Sequence, residues 1–332
     1  MGRRGELVKD FKKSMKAGSK VVAVDNSPYA PALYLADKHY LVPRIDDPGY
    51  IDILLDICRW ESVRAITTFI DPEIEVLARH RDRFADLGIE VLAPYLYTAQ
   101  LCFDKLEMFR YLKKHNLATV KTWGTLREFD ESFSTKDVDF PVFVKPRSGS
   151  GSVGARKVDT YEELVTACHS DSTLIIQEFM KGIDLDVDVY IDTISHKAVA
   201  AFAKKKIETR IGGASKTISF RDSNLFAFIQ KIVSVFEFNG PVDMDFFYMD
   251  GQYYLSEINP RFGGAYLHAY GAGVDFIKLI ENNLNGIENQ PRFGEYEDGV
   301  VMMMYDSAII KKSDELAPDG RDFGSCTLGT SG

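Results

Sequence analysis

The stretch Ser256-Glu257-Ile258-Asn259-Pro260-Arg261-Phe262-Gly263-Gly264 constrains this chain more than any other. It sets a carboxylate, an amide and a guanidinium at alternate positions of one apparent strand, and side chains two apart on a strand share a face. Upstream, Pro241 to Met249 reads as a partner strand that arrives through Asp250-Gly251 and adds Asp243 and Asp245 on a single face. A two-residue turn at Asp250-Gly251 would pair Asp245 with Ser256 and throw Glu257 to the opposite face. The expected connection is therefore three residues, Asp250-Gly251-Gln252, which pairs Met249 with Tyr253. That register sets Asp245 across from Glu257 and Asn259 across from Asp243, with Arg261 beyond the strand end. Hard oxygen ligands beside an arginine suit Mg²⁺ and phosphate. The competing reading is a surface hairpin with ordinary salt bridges.

The chain has 332 residues, 45% hydrophobic and 27% charged, which leaves room for two or three packed units. A formal net charge of -9 with no basic stripe argues against a nucleic-acid partner. Cys58, Cys102, Cys168 and Cys326 are too scattered for a paired metal motif or a disulfide framework, so a reducing compartment, the cytoplasm, is expected. Neither a bilayer-spanning apolar run nor a signal peptide is visible, and no membrane partner is expected.

The first part alternates strands and helices. Val21-Val22-Ala23-Val24 is a β-branched run, and Asp47-Pro48 caps a helix carrying Ile51, Leu54, Leu55 and Cys58. Ala65 to Ile70 is the next strand. Asp71-Pro72 starts a second helix with Ile74 and Leu77 inward, and Gly88 ends the unit before the strand Ile89-Glu90-Val91-Leu92. That rhythm implies a parallel sheet with crossover helices. Glu6 to Lys16 reads as a helix with almost nothing before it to form a first strand, so a truncated amino terminus and a sheet lacking one strand are expected.

From about Thr98 the pattern changes. One helix carries Leu101, Leu106, Phe109 and Leu112 and includes Asp104-Lys105; Pro141-Val142-Phe143-Val144 is then a buried strand ending in Lys145-Pro146. The loop Ser148-Gly149-Ser150-Gly151-Ser152-Val153-Gly154 matches G-x-G-x-x-G, but a dinucleotide fingerprint needs a helix opening within the glycines. Here Ala155-Arg156-Lys157-Val158 continues extended, and the helix starts later, at Thr160 with Glu163 completing a capping box. Ala155-Arg156 also stands where a Walker loop needs Gly-Lys-Ser/Thr. A strand, a glycine loop and a second strand make either a flap that closes over phosphates or a solvent-exposed hairpin.

Thr173 to Met180 is a strand, after which Asp184, Asp186 and Asp188 alternate with apolar residues. An apolar edge with free backbone groups followed by an acid suits adenine and ribose; taken alone, a sheet strand with a solvated acidic face is the better reading. Lys204, Lys205, Lys206 and Arg210 read either as a solvated basic face or as holders of anionic groups.

The ordered set Asp104-Lys105, Pro141 to Pro146, the loop from Ser148 to Gly154, Gln177-Glu178-Phe179-Met180-Lys181-Gly182-Ile183-Asp184, Asp245, and Glu257-Ile258-Asn259-Pro260-Arg261 resembles the ATP-grasp superfamily. Within it the chain looks most like single-chain relatives of the carbamoyl-phosphate synthase large subunit. The resemblance implies an α/β and α+β fold: a parallel-sheet pre-ATP-grasp domain over residues 1–97, a small lobe with the glycine-rich loop over 98–176 and a large lobe over 177–310. Residues 311–332 are expected to be a disordered tail. It also implies that Lys105 and Lys145 hold the ATP phosphates beneath the loop residues Ser148, Gly149, Ser150, Gly151, Ser152 and Gly154. Gln177 or Glu178, with the backbone of Phe179 and Met180, would take adenine, and Asp184 the ribose. Asp245, Glu257 and Asn259 match the Mg²⁺ positions, which Mn²⁺ could also fill. Arg261 matches the group that steadies the transferred phosphoryl, with Lys145 and Arg210 beside it as catalytic candidates. Asp243 and Lys206 are weaker matches, and Gly2-Arg3-Arg4 resembles a turn of close relatives.

The implied reaction is ATP-dependent ligation of a small-molecule carboxylate to an amine through an acylphosphate, in a protein for which a homodimer is an open option. A phosphotransferase without amine attack and a non-catalytic ATP-binding regulator are the alternatives. One ATP-grasp unit and no glutamine-hydrolysing domain argue against carbamoyl phosphate synthesis itself.

Overall fold

The computed structural model describes residues 4–149, 154–210 and 213–316. The first unit runs α1 (Gly5–Ser14), β1 (Val22–Asp25), β2 (Lys38–Leu41), α2 (Tyr50–Glu61), β3 (Ala65–Ile66), α3 (Asp71–Arg79), α4 (Arg81–Ala85) and β4 (Glu90–Val91). Its strands pair in parallel, β1 with β2 and β3 with β4, so crossover connections were read correctly. The strands are shorter than the apolar runs suggested, and β2 was not foreseen, because Lys38-His39-Tyr40-Leu41 carries little β-branched signal. Asp47 does not cap α2 directly; its carboxylate accepts from the Gly49 N–H at 2.7 Å, one residue before the helix. Leu54, Leu55, Ile74, Leu77 and Phe84 form the core between helices and sheets.

The helix expected across Asp104 is two. α5 (Leu96–Phe103) ends and α6 (Lys105–Lys114) begins at Asp104, whose extended backbone and carboxylate, accepting from the N–H groups of Leu106 and Glu107 at 3.1 Å each, make it the N-cap. The small lobe follows: β5 (Thr122–Trp123), α7 (Leu126–Ser134), β6 (Val142–Pro146), β7 (Arg156–Val158), α8 (Tyr161–Ser170) and β8 (Leu174–Glu178). Its antiparallel sheet has the order β5-β8-β6-β7. Thr160 caps α8 through the Glu163 N–H, as the sequence indicated.

The large lobe comprises β9 (Ile183–Ile191), β10 (Ala198–Arg210), β11 (Gly213–Phe220), α9 (Ser223–Val233), β12 (Gly240–Met249), β13 (Gln252–Asn259), α10 (Tyr266–Gly271), α11 (Phe276–Leu284) and β14 (Val301–Met303). The strands form one antiparallel sheet in the order β13-β12-β9-β10-β11-β14. Leu185, Val187, Phe202, Met244, Phe246 and Leu255 are almost fully buried, each contributing about 1.5–3 kcal/mol by the usual transfer scale. The lobes are stitched where the Val120 N–H donates to the Leu255 carbonyl at 3.2 Å and the Leu255 N–H to that of Ala118 at 3.1 Å. Within the carboxy-terminal tail, Ser313–Glu315 forms a short 3-10 turn, and residues 317–332 lie outside the described residues.

The β12–β13 connection corrects the expected turn. It has two residues, Asp250-Gly251, both with positive φ (52° and 80°), so Met249 pairs with Gln252 and Tyr248 with Tyr253. Asp245 still pairs with Glu257 and Asn259 with Asp243, because a register shift between Asp245 and Phe246 leaves Ser256 as an extra residue on β13. A β-bulge does what a longer loop was expected to do.

Candidate nucleotide and metal site

The site forms on one face of the large sheet. Reading across strands, Glu257 on β13 faces Asp245 on β12, which faces Asp186 on β9, which faces Lys204 on β10. One step along, Asn259 faces Asp243, which faces Asp188. Alternation within each strand therefore brings Asp243, Asp245, Glu257 and Asn259 onto a common face, as inferred.

Lys204 explains how so much acid is tolerated. Its ammonium is fully buried, 2.8 Å from Asp186 and in contact with Asp188. Burial opposes its charge, but Asp186 and Asp188 overcome that and raise its pKa. Burial pushes Asp186 up, but Lys204 and Lys206 outweigh that and leave it below the ordinary carboxylate range. Burial and the neighbouring Asp186 push Asp243 well above that range, and burial takes Asp188 up to about 6. Asp186, Asp188 and Asp243 are close enough to converge on one cation, and the Lys204 ammonium already fills that role for Asp186 and Asp188. The solvated acidic and basic faces considered for these strands are thus, at Asp186, Asp188 and Lys204, a buried charge network.

Lys206 lies 2.5 Å from Asp245 and 2.9 Å from Asp184, joining the expected metal and ribose residues. Burial first, then Asp186 and Glu257, raise Asp245 to about 6 against the opposing Lys206 charge. Asp245, Glu257 and the Asn259 amide offer hard oxygens on one face, a donor set that fits Mg²⁺. Arg261 is tied to Asp71 at the start of α3 by Nε at 2.8 Å and approaches Asp243 at 3.4 Å. Asp71 is a contribution of the first unit that sequence reasoning read only as a helix start. Arg210 is exposed at the end of β10, 3.7 Å from Glu208, and among the described residues it makes no ion pair with the carboxylate rows.

Across from this face stand the small-lobe lysines. Lys145, near the end of β6, is buried; burial lowers its pKa, with Lys105 adding to the effect and Glu257 opposing it. Lys105 opens α6 and donates to the Gly149 carbonyl at 2.6 Å. Arg147, unnoticed in the sequence, grips Asp104 through Nε at 2.8 and 2.9 Å and Nη2 at 2.6 Å, so one carboxylate both caps α6 and anchors the root of the glycine loop. Gly149 and Gly154 have positive φ (106° and 75°), and Ser148 is exposed, while Ser150, Gly151 and Ser152 lie outside the described residues.

At the edge where adenine was expected, Gln177 spends its amide on the Thr122 hydroxyl at 3.0 Å, which turns that side chain into the small lobe. Burial raises the pKa of Glu178, Met180 is buried, and Lys157 lies 5.6 Å over the Phe179 ring. A cavity of about 240 Å³ borders the site, lined by Asp71, Pro72, Phe103, Gly149, Glu257 and Asn259 among others.

This two-lobed arrangement, with acid and amide residues on one face opposite buried lysines, is an ATP-grasp architecture. Residues 1–92 match the PylC-like N-terminal domain and residues 102–265 an ATP-grasp domain, so this chain carries an ATP-grasp domain behind a PylC-like one. It is 28% identical over 198 residues to formate-dependent phosphoribosylglycinamide formyltransferase of Saccharolobus solfataricus, covering 56% of this chain and 47% of that one. It is 29% identical over 107 residues to D-alanine--D-alanine ligase of Thermotoga petrophila, 31% of this chain and 34% of that one. The N5-carboxyaminoimidazole synthetase of Staphylococcus aureus complexed with ADP superposes with a TM-score of 0.71 at 20% identity, over 91% of this chain and 79% of the other. The chain spans about half or less of the length of these two curated relatives.

Proposed function

We propose that this chain is an ATP-dependent ligase that joins a small-molecule carboxylate to an amine through an acylphosphate. The observation that carries the reading is the row Glu257–Asp245–Asp186–Lys204, with Asn259 beside it and Lys145 near enough to feel the Glu257 charge. The likeness to a D-alanine--D-alanine ligase and to a synthetase complexed with ADP supports it. Lys105 and Lys145 bind the nucleotide phosphates, the loop from Ser148 to Gly154 covers them, Phe179 and Met180 border adenine, and Asp184 takes the ribose. Asp245, Glu257 and Asn259 would hold Mg²⁺, or Mn²⁺ in its place, which would supply positive charge to offset that of the phosphates. The substrate carboxylate attacks the γ-phosphorus, the bond to the β,γ-bridging oxygen breaks and ADP leaves; the amine then displaces inorganic phosphate. Arg261, Lys145 and Lys206 stabilise the charge that develops, and loop closure keeps water from the acylphosphate. Arg210, exposed near the same hairpin end, has the weakest claim to a role.

The motif Glu257 to Arg261 supports a narrower kinship with single-chain relatives of the carbamoyl-phosphate synthase large subunit. A cytoplasmic location accords with the scattered cysteines, and no helix among the described residues is long and apolar enough to cross a membrane. A homodimer is the assembly we propose to test first. A screen of ADP release across carboxylates and amines tests the function: ADP release that needs both confirms ligation, and release that ignores the amine indicates a phosphotransferase.

A further inference from the structure

Helix α1 packs within its own unit, where Lys12 pairs with Asp37 at 2.8 Å, and also reaches onto the large lobe. Phe11 meets Phe262 edge to face at 5.5 Å, the Ser14 hydroxyl donates to Asp275, and the Lys16 N–H donates to Glu281 at 3.2 Å. These contacts hold Arg4, at the N-cap of α1, against the end of the site, where its Nη1 donates to the Gly263 carbonyl at 2.6 Å. A guanidinium has five N–H donors. Among the described residues Arg4 makes no ion pair, and the group it donates to is a neutral carbonyl. It nevertheless sits near a second guanidinium, Arg261. Burial first, and then the Arg261 charge, push the Arg4 pKa down to about 10, with Asp243, Asp71 and Asp188 pulling the other way. Placing a partly desolvated cation beside another without a paired anion is unfavourable, and an anionic ligand would offset that cost.

Position along the chain says which anion. Glu257 feels the charge of Lys145 on the nucleotide-binding lobe, Arg261 two turns of alternation later is bound to Asp71 of the first unit, and Gly263 carries Arg4. The order runs from nucleotide to metal ligands to Arg261 to Arg4. On the ligase reading, with the γ-phosphoryl group between the metal residues and Arg261, Arg4 falls beyond it, on the acyl side. We propose that Arg4 binds the carboxylate of the acyl substrate, orienting one oxygen so that the other faces the phosphoryl group; this rests on the ligase reading above.

The test uses the full chain, with Arg4→Gln and Arg4→Lys. Calorimetry first measures binding of β,γ-methylene-ATP with Mg²⁺, then titrates acetate, glycine, succinate and benzoate into that complex. The expected result is a carboxylate that binds wild type and binds Arg4→Gln about tenfold or more weakly, with partial recovery in Arg4→Lys and unchanged affinity for the nucleotide analogue. Equal carboxylate affinity in Arg4→Gln would make Arg4 a structural strut and overturn the proposal. An equal loss of analogue affinity would make it a phosphate ligand and overturn it too, as would failure of every probe to bind a wild-type complex. Wild-type protein that does not bind the analogue removes the ligase reading itself, a separate result visible in the first titration. Thermal unfolding of both variants without ligand checks that any loss is not one of folding.

Discussion

Asp245 lies directly across from Glu257 although the turn joining their strands has two residues, and the extra residue Ser256 in β13 reconciles the two facts. The turn alone would put Glu257 on the wrong face; the bulge turns it back. Deleting Ser256 should therefore keep the hairpin but separate the two carboxylates. Calorimetric titration with Mg²⁺ and a nucleotide analogue should show metal binding lost in the deletion variant; retained binding would mean that the bulge is not what aligns the site.

Charge at Glu257 should matter more than shape. Glu257→Gln preserves size but removes the negative charge that a bridging metal needs, so turnover should fall by orders of magnitude while thermal unfolding changes little. Full activity in this variant, or wild-type activity in excess chelator, would sink the metal assignment.

Lys145 should be a nucleotide ligand. Charge-assisted contacts to phosphate contribute about 1.5–3 kcal/mol each, so Lys145→Ala should weaken ATP binding about tenfold or more. Calorimetry on the variant decides this, and an unchanged affinity would take Lys145 out of the site.

Gly263 must be glycine for a steric reason. A Cβ there would lie 2.4 Å from Asp188 Oδ1 and 2.8 Å from Asp243 Oδ1. Gly263→Ala should therefore destabilise by about 1–3 kcal/mol, as overpacking does, in urea unfolding. A wild-type midpoint in the variant would show that these carboxylates can move.

His268 supplies a pH dependence. Its ring nitrogen Nδ1 lies 2.7 Å from the Thr217 hydroxyl, and burial first, then the Lys204 charge, push its pKa down to about 4. The unfolded chain takes up this proton near its ordinary value of about 6.5, whereas the fold refuses it until about 4. The contribution is thus present above about 6.5 and lost as pH falls towards 4, on the order of 3 kcal/mol in all. Asp188 and Asp245, raised to about 6, act oppositely by favouring the fold in acid. Comparison with His268→Asn isolates the histidine: the wild type should lose more stability between pH 7 and 4, and parallel profiles would refute the assignment.

Legibility followed locality. The face shared by Asp243, Asp245, Glu257 and Asn259 could be read because strand alternation is a period-two rule that needs only one register, and the cap at Thr160 is a signal within four residues. The turn was misjudged because a bulge and a longer loop shift register identically, and nothing in Tyr253-Tyr254-Leu255-Ser256 marks which occurs. The sequence leaves Lys204 open between a solvated basic face and a holder of anionic groups, since its burial depends on β9, β10 and β12 meeting across long sequence separations. Asp71 and Arg147 were missed for the same reason: their partners, Arg261 and Asp104, are distant in the chain.

The central claim, phosphoryl transfer to a carboxylate followed by amine attack, is tested most directly by isotope transfer. The carboxylate found in the ADP-release screen is prepared with ¹⁸O in both oxygens and turned over with ATP, Mg²⁺ and the amine, and the inorganic phosphate is analysed by mass spectrometry. An acylphosphate route predicts that the phosphate carries one ¹⁸O for each amide formed. Amide product accompanied by unlabelled phosphate would contradict the account.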